Sequence, residues 1–328
     1  MSIEEVNQRL DQRFRLLTGG SRTALPRQQT LRALIDWSYE VLSDAERALL
    51  DRLSVFAGGW TLEAAEQVCS GEIIEEGEVL DLLTSLVDKS LMLAEDHRGA
   101  TRYRMLETVR QYASDRLRES SEDARGCARH LAHFAKMAEE AESKLMGAEQ
   151  PAWLDRLETE HDNIRSALAW SCTAAGDAAD GLRLVGAIWR FWLVRGYFEE
   201  GRGWFSGPLA AAPGEQSKEV RANALIGAGV LARHQCDYPA ARARYEESLA
   251  ISQQLGNRRG IAASVNNLAN VASEQGDFAT AQKLYEESLA IKRELGDRWG
   301  ISASLNNLGN LSYRDHSEDP LVIWRART

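Results

Sequence analysis

Cysteine is scarce in this chain, with 4 copies in 328 residues. Cys69, Cys127, Cys172 and Cys236 are far apart and form no CxxC pair, which argues against a disulfide framework and leaves little basis for a zinc site. Long hydrophobic runs are missing as well. The most membrane-like stretch, Leu184 to Val194, is interrupted by Arg190 and falls far short of a bilayer span. The opening MSIEEVNQRL is charged where a secretory leader is apolar. A soluble, cytoplasmic protein with no membrane partner is expected. Positive charge is in deficit, with 39 basic against 49 acidic residues and a net charge of −10. That balance opposes nucleic-acid phosphates and anionic lipid, so any contact with either has to be local.

Catalytic motifs are also absent. No GxxxxGK[ST] or GxSxG occurs, and Gly201-Arg202-Gly203 meets Ser206 where a dinucleotide loop needs its third glycine. Gly19-Gly20 is followed by Ser21-Arg22, which lacks the lysine and the spacing of a phosphate cradle. Cys127, His130 and His133 fall three apart on a predicted helix. At 3.6 residues per turn the first and last point about 120° apart, so a packed cysteine with two solvated histidines is expected rather than a metal site. No catalytic residue, resident cofactor or metal is expected, and the chain is read as a non-enzyme.

What is present is helix and repetition. An apolar content of 44% over 328 residues is enough for two or more cores. A helical spacing from Ile3 to Leu17 stops at Gly19-Gly20, and residues 1–29 read as the tail of an upstream module. Helices are then predicted at Leu31–Leu42, at Asp44–Phe56 behind Ser43 with Glu46 at the capping-box position, and at Leu62–Cys69 behind Thr61, where Ala64 rules out a box. A helix near Gly77–Lys89 leads into LMLAED and TRYRML, two short strands around a glycine turn. Helices followed by a two-stranded wing make residues 30–120 a small winged helix. Its candidate recognition helix carries or adjoins Glu75, Glu76, Glu78, Asp81 and Asp88 against Lys89 alone. That sign repels a major groove, so an intramolecular docking module is expected; the alternative is a DNA-binding winged-helix transcription factor.

Amphipathic helices at Glu107–Glu119 and Asp123–Leu145 lead into a block of degenerate hairpins, residues 121–215 in all, with Trp189 and Trp192 as packing residues. Beyond it, Asp237–Glu274 and Asp277–Arg314 share 20 identities in 38 aligned positions, both containing YEESLAI. A 40-residue period of paired helices over residues 216–313 predicts a stacked solenoid, whose concave wall usually grips another protein. Asn266 and Asn270 share one helix face, and Asn306 and Asn310 repeat them one unit later. The period fails after that, and residues 314–328 match nothing before them, as in a truncated or frameshifted end.

Two resemblances follow from these residues. Leu268, Ala269, Ala272, Ala281 and Tyr285, with Gly276-Asp277-Phe278 at the turn, resemble the tetratricopeptide repeat. In that frame the four asparagines face the groove, where amides could clasp a peptide backbone; a ladder of amides between neighbouring helices remains open. The run from LTGGSRTALPRQQTLRALIDWSYEVLSDAERALL through LVDKSL to RYRMLETVRQYA resembles the region after the nucleotide-binding domain of bacterial STAND-class signal-transduction ATPases, among them AfsR-like and LuxR-type regulators. The resemblance implies a mostly α chain, a winged helix followed by an α-solenoid. It also implies a protein or peptide ligand, and an upstream ATPase domain, in cis or in trans, that would hold any ATP and magnesium. Where related switches carry a nucleotide-sensing Met-His-Asp, this chain has Met105, Leu106 and Glu107. Leu106 cannot bond a phosphate, so that position is expected to act by packing.

Overall fold

The computed structural model describes residues 31–97, 99–211 and 218–317. The expected upstream tail and most of the irregular end lie outside the described residues. Two compact units emerge, one formed by the winged helix together with residues 156–176, the other by residues 135–155 and the chain from Asp177 on.

In the first unit, helices α1 (Leu31–Glu40) and α2 (Asp44–Leu53) precede strand β1 (Trp60–Thr61) and helix α3 (Leu62–Cys69). A 3-10 turn at Glu76–Glu78 opens α4 (Val79–Asp88), and strands β2 (Leu93–His97) and β3 (Ala100–Arg104) lead to α5 (Glu107–Glu119). Local chemistry accounts for the boundaries. Ser43 and Glu46 form the expected capping box, with the Ser43 N–H donating to Glu46 Oε2 at 2.7 Å. Thr61 caps α3 through Oγ1, which accepts from the Ala64 N–H at 3.2 Å.

The wing hairpin pairs Leu93 with Arg104 and His97 with Ala100, and Gly99 turns at φ +83°. A third strand was not foreseen. Trp60 and Thr61 pair with Tyr103 and Arg102, giving the order β1-β3-β2, and two residues are too few for a period-2 pattern to register. Gly59 beside this strand has φ +98°, and a Cβ there would sit 2.6 Å from the Tyr103 carbonyl oxygen, so glycine lets β1 reach β3. Leu49, Leu50, Leu53, Phe56, Trp60, Leu83 and Leu86 form the core.

The first half of helix α6 (Asp123–Lys144), the end of α7 (Gln150–Thr159) and α8 (His161–Ser171) belong to this unit. A buried polar seam ties α8 to the winged helix. Asn163, fully buried, accepts from the Ala57 N–H at 2.7 Å through Oδ1 and donates through Nδ2 to the Gly59 carbonyl at 2.8 Å and Glu160 Oε2 at 2.7 Å. Arg102 of β3 bonds both Glu160 oxygens and the Gly59 carbonyl. His130 is not solvated, contrary to expectation. It is 2% exposed, packs against Phe56 and Phe134, and lies 3.5 Å from Asn163 Oδ1, and burial pulls its pKa down to about 3. The apolar spacing of α6 sets this residue facing inward.

The second unit contains the rest of α6 and α7, then α9 (Ala178–Arg195), α10 (Phe198–Ala211), α11 (Lys218–His234), α12 (Tyr238–Gln254), α13 (Arg258–Glu274), α14 (Phe278–Glu294) and α15 (Arg298–Ser317). Consecutive helices pack on one another. The turns repeat their chemistry: Asp237, Asn257, Asp277 and Asp297 each accept an N–H at the start of a helix, and Gly256, Gly276 and Gly296 take φ of +64°, +81° and +65°. Ala269, Ala272, Ala281, Tyr285 and Leu311 form one shared core. Ser248 and its counterpart forty residues on, Ser288, donate to the carbonyls of Ala222 and Ala262 at 2.9 and 2.8 Å. A hydroxyl thus fastens each second helix to the first helix of its own repeat. The fold is the mostly α winged helix plus helical repeats that the residues predict.

Candidate functional site

The first helices of successive repeats, α11, α13 and α15, bring corresponding positions onto one wall. Ile226 and Val230 of α11 stand where α13 has Asn266 and Asn270 and α15 has Asn306 and Asn310, forty residues apart each time. Along this wall runs a cavity of about 440 Å³, bounded also by Trp189 and Arg190 of α9 and by Lys292, Leu295 and Trp299. That volume falls within the range of ligand sites. A second hollow of about 290 Å³ lies against Asn270, Asn307, Asn310, Tyr285 and Glu274, and Arg233 borders both.

The four predicted asparagines therefore divide. Asn266 lines the larger cavity, Asn270 and Asn310 line the smaller one, and exposed Asn306 borders neither. Two of them also serve the fold. Asn266 Oδ1 accepts from Lys292 Nζ at 3.2 Å and stands 3.5 Å from Ser304 Oγ, while Asn270 Oδ1 accepts from the Tyr285 hydroxyl at 2.7 Å. These carbonyl oxygens are committed to neighbouring helices, as in the amide ladder. The Asn270 amide donates to Asn267 Oδ1 at 3.3 Å, whereas the Asn266 amide has no partner among the described residues.

Lys292 was not foreseen. It is 9% exposed, and its other bond runs to Ser304 Oγ at 2.8 Å. Burial lowers its pKa, and the field of Asp297 works against that. Among the described residues no carboxylate bonds to it, so a cation beside the cavity is held by neutral acceptors alone. The repeat carries a signal for it: forty residues earlier stands Ser252, fully buried with its hydroxyl unpartnered in the described structure, so a position that packs as serine in one unit holds a charge in the next. The other cavity cations are less confined. Arg190 lies 4.3 Å from the Trp189 ring centre, Arg233 pairs with Glu274, and Arg259 is exposed.

The winged helix treats its charges differently. Exposed carboxylates stand at Glu75, Glu76, Glu78, Asp81 and Asp88, and Lys89 is bound to Glu46. Burial opposes ionisation of Glu46, yet bonds from Lys89, Ser85 and Ser43 hold its pKa near 2. In the wing Arg102 is taken by Glu160 and Arg104 by Glu95 at 2.7 Å. Leu106 is 52% exposed at the start of α5, and its side chain makes no cap bond. Among the described residues no three His, Cys, Asp or Glu side chains group as a metal site, and no helix is long and apolar enough to cross a membrane.

Comparison with known proteins agrees with this division. Residues 42–118 match the winged helix-turn-helix domain family, and residues 220–294 and 261–319 match the tetratricopeptide repeat family. The chain is a winged helix joined to tetratricopeptide repeats. Proteins of Mycobacterium tuberculosis and Mycobacterium bovis whose names describe an HTH-type transcriptional regulator are 39% identical over 264 residues, 78% of this chain. The chain spans 30% of the length of those relatives. Among solved structures, BtubC from P. vanneervenii aligns over 61% of this chain and 89% of its own at 17% identity and a TM-score of 0.42. A STAND protein with a tetratricopeptide repeat sensor from Pyrococcus horikoshii aligns over 88% of this chain and 56% of its own at 12% identity and a TM-score of 0.27.

Proposed function

We propose that this chain is the non-catalytic, protein-interaction part of a cytoplasmic bacterial transcriptional regulator of the signalling-ATPase kind, taking a protein or peptide segment into the repeat groove. The observation that carries this reading is the 440 Å³ cavity on the wall shared by the first helices of the repeats, where apolar surface adjoins amide and cationic groups. An extended peptide needs apolar contact for affinity and amides for its backbone, and this wall offers both. The winged helix acts as a docking module, and any nucleotide chemistry belongs to an ATPase domain outside these residues. Site-specific photocross-linking tests the reading. A cross-linking residue at Ala303 in the groove is expected to capture a defined protein segment in the host cell, and one at Asp81 to capture protein rather than DNA. Cross-links to DNA from position 81 with none to protein from position 303 would overturn it.

The second reading, direct DNA binding, is favoured by the winged helix-turn-helix match and by the relatives' regulator names. Its difficulty is electrostatic, since Lys89, just after α4, and Arg102 and Arg104 of the wing are paired internally. A gel shift at low salt with random-sequence duplex separates the two readings, and none is expected.

A further inference from the structure

Lys292 poses a problem that the repeat itself does not solve. An ammonium group offers three donors, and two of them are used, by Asn266 Oδ1 and Ser304 Oγ. A buried cation is stable only when paired with a counter-charge, and neutral oxygens are weak substitutes. The carboxylate that acts on it, Asp297, accepts from the Gly300 N–H at 2.9 Å as the cap of α15. Around the same cavity stand Arg190, Arg233 and Arg259, and only Asp297 supplies a carboxylate to the lining. Arg233 is neutralised by Glu274 and the field of Glu142 reaches Arg190, whereas Arg259 carries no ion pair among the described residues. A chain with a net charge of −10 thus surrounds this cavity with positive charge.

The apolar part of the wall is equally specific. Trp299, 73% exposed at the start of α15, and Leu295 border the same cavity as Lys292. An exposed indole and a buried ammonium lining one cavity suit a ligand with an acidic group near an apolar or aromatic one. From this pairing we infer that the groove selects an acidic peptide segment, one whose Asp or Glu carboxylate reaches Lys292 while a neighbouring apolar side chain lies on Trp299 and Leu295. This rests on the groove binding a peptide at all, and goes further by naming the chemistry and the residue that reads it.

The test is selection from an unbiased phage-displayed library of random twelve-residue peptides on the whole chain. Recovered peptides are expected to be rich in Asp or Glu beside an aromatic or aliphatic residue. Changing their acids to the matching amides should weaken binding roughly thirtyfold or more, as should Lys292→Met in the protein. Arg259→Gln, on an exposed side chain that can be changed without touching the core, should cost about two- to fivefold at low salt and less at high salt. Circular dichroism on both variants separates lost folding from lost recognition. Recovery of neutral or basic peptides that compete for the groove would overturn the acidic assignment and leave peptide binding standing. Recovery of no groove-binding peptide would overturn both. Acidic peptides that bind Lys292→Met as well as the native chain would also overturn it.

Discussion

A cation buried in the winged helix and one buried in the repeats meet different partners, although several other cations of the repeats are paired with carboxylates. In the first unit Arg102, Lys89 and Arg52 each meet a carboxylate, and the Arg102–Glu160 pair is almost buried, its side chains 12% and 10% exposed. In the second, Lys292 is as deeply placed and meets only neutral oxygens. A buried pair holds a fold together and becomes costly once one partner is lost, whereas a buried unpaired cation costs the fold stability until something outside supplies the missing charge. The first arrangement is structural. The second has the character of a binding group, and it is on this difference that the proposed recognition by the repeats rests.

Breaking the paired side should produce the largest effect. Arg102→Ala strands Glu160 and unties β3 from α8, and should cost the first unit roughly 3–5 kcal/mol in urea unfolding. Asn163→Ala removes the bonds to Ala57, Gly59 and Glu160 together and should cost about 2–4 kcal/mol. If either loss were below about 1 kcal/mol, the seam would not be what joins α8 to the winged helix.

A smaller and pH-dependent effect is expected at Asp51. Its carboxyl is buried, accepts from the Tyr39 hydroxyl at 2.7 Å through Oδ2, and has Oδ1 without a partner in the described structure. Burial raises its pKa to about 7, against the bond from Tyr39 and the field of Arg116. The folded state then keeps a proton that the unfolded chain gives up near pH 4, so the carboxyl takes away stability as pH rises from about 4 through about 7. Asp51→Asn should therefore be more stable than the native chain by roughly 1–3 kcal/mol at pH 8, with the gap closing towards pH 5. His130 works in the other direction. Its folded pKa near 3 lies below the unfolded value near 6.5, so its contribution is complete above about pH 6.5 and is lost as pH falls towards 3. The two slopes oppose each other between about pH 4 and 6.5, so only the difference between native and Asp51→Asn melts isolates the aspartate. A difference that does not change with pH would contradict its assignment.

Least should happen on the surface of the repeats and at the unpaired lysine. Lys292→Met replaces an uncompensated buried cation with a side chain of similar length, and should leave the melting of the second unit unchanged or raise it by about 1 kcal/mol. Arg258→Gln breaks the exposed pair with Glu294 and should change stability by no more than about 0.5 kcal/mol. A large loss in Lys292→Met would mean that the lysine serves the fold, and the contrast between the units would fail.

Much of this architecture was legible in the amino-acid order because local signals agree with the tertiary outcome. Ser43 with Glu46, Thr61 ahead of α3, and the 40-residue recurrence of YEESLAI each mark an element where it occurs. The third strand was not legible, since Trp60 and Thr61 acquire strand geometry only by pairing with residues some forty positions away. The attachment of α8 to the winged helix was hidden for the same reason: the seam joins Asn163 to Ala57 across 106 residues, and nothing in the neighbourhood of either one announces the other. Within the groove, the paired asparagines stood out because they repeat. Lys292 carries no periodic signal because it departs from the repeat, and only the contrast with Ser252, its counterpart one unit earlier, marks it.

Hydrogen exchange tests the placement of recognition most directly, on the native chain with and without an acidic peptide recovered from the library. The account predicts slowed exchange confined to α11, α13, α15 and the Lys292 end of α14, with none added across residues 79–104 of the winged helix. Protection of the winged helix with an unchanged groove would contradict it.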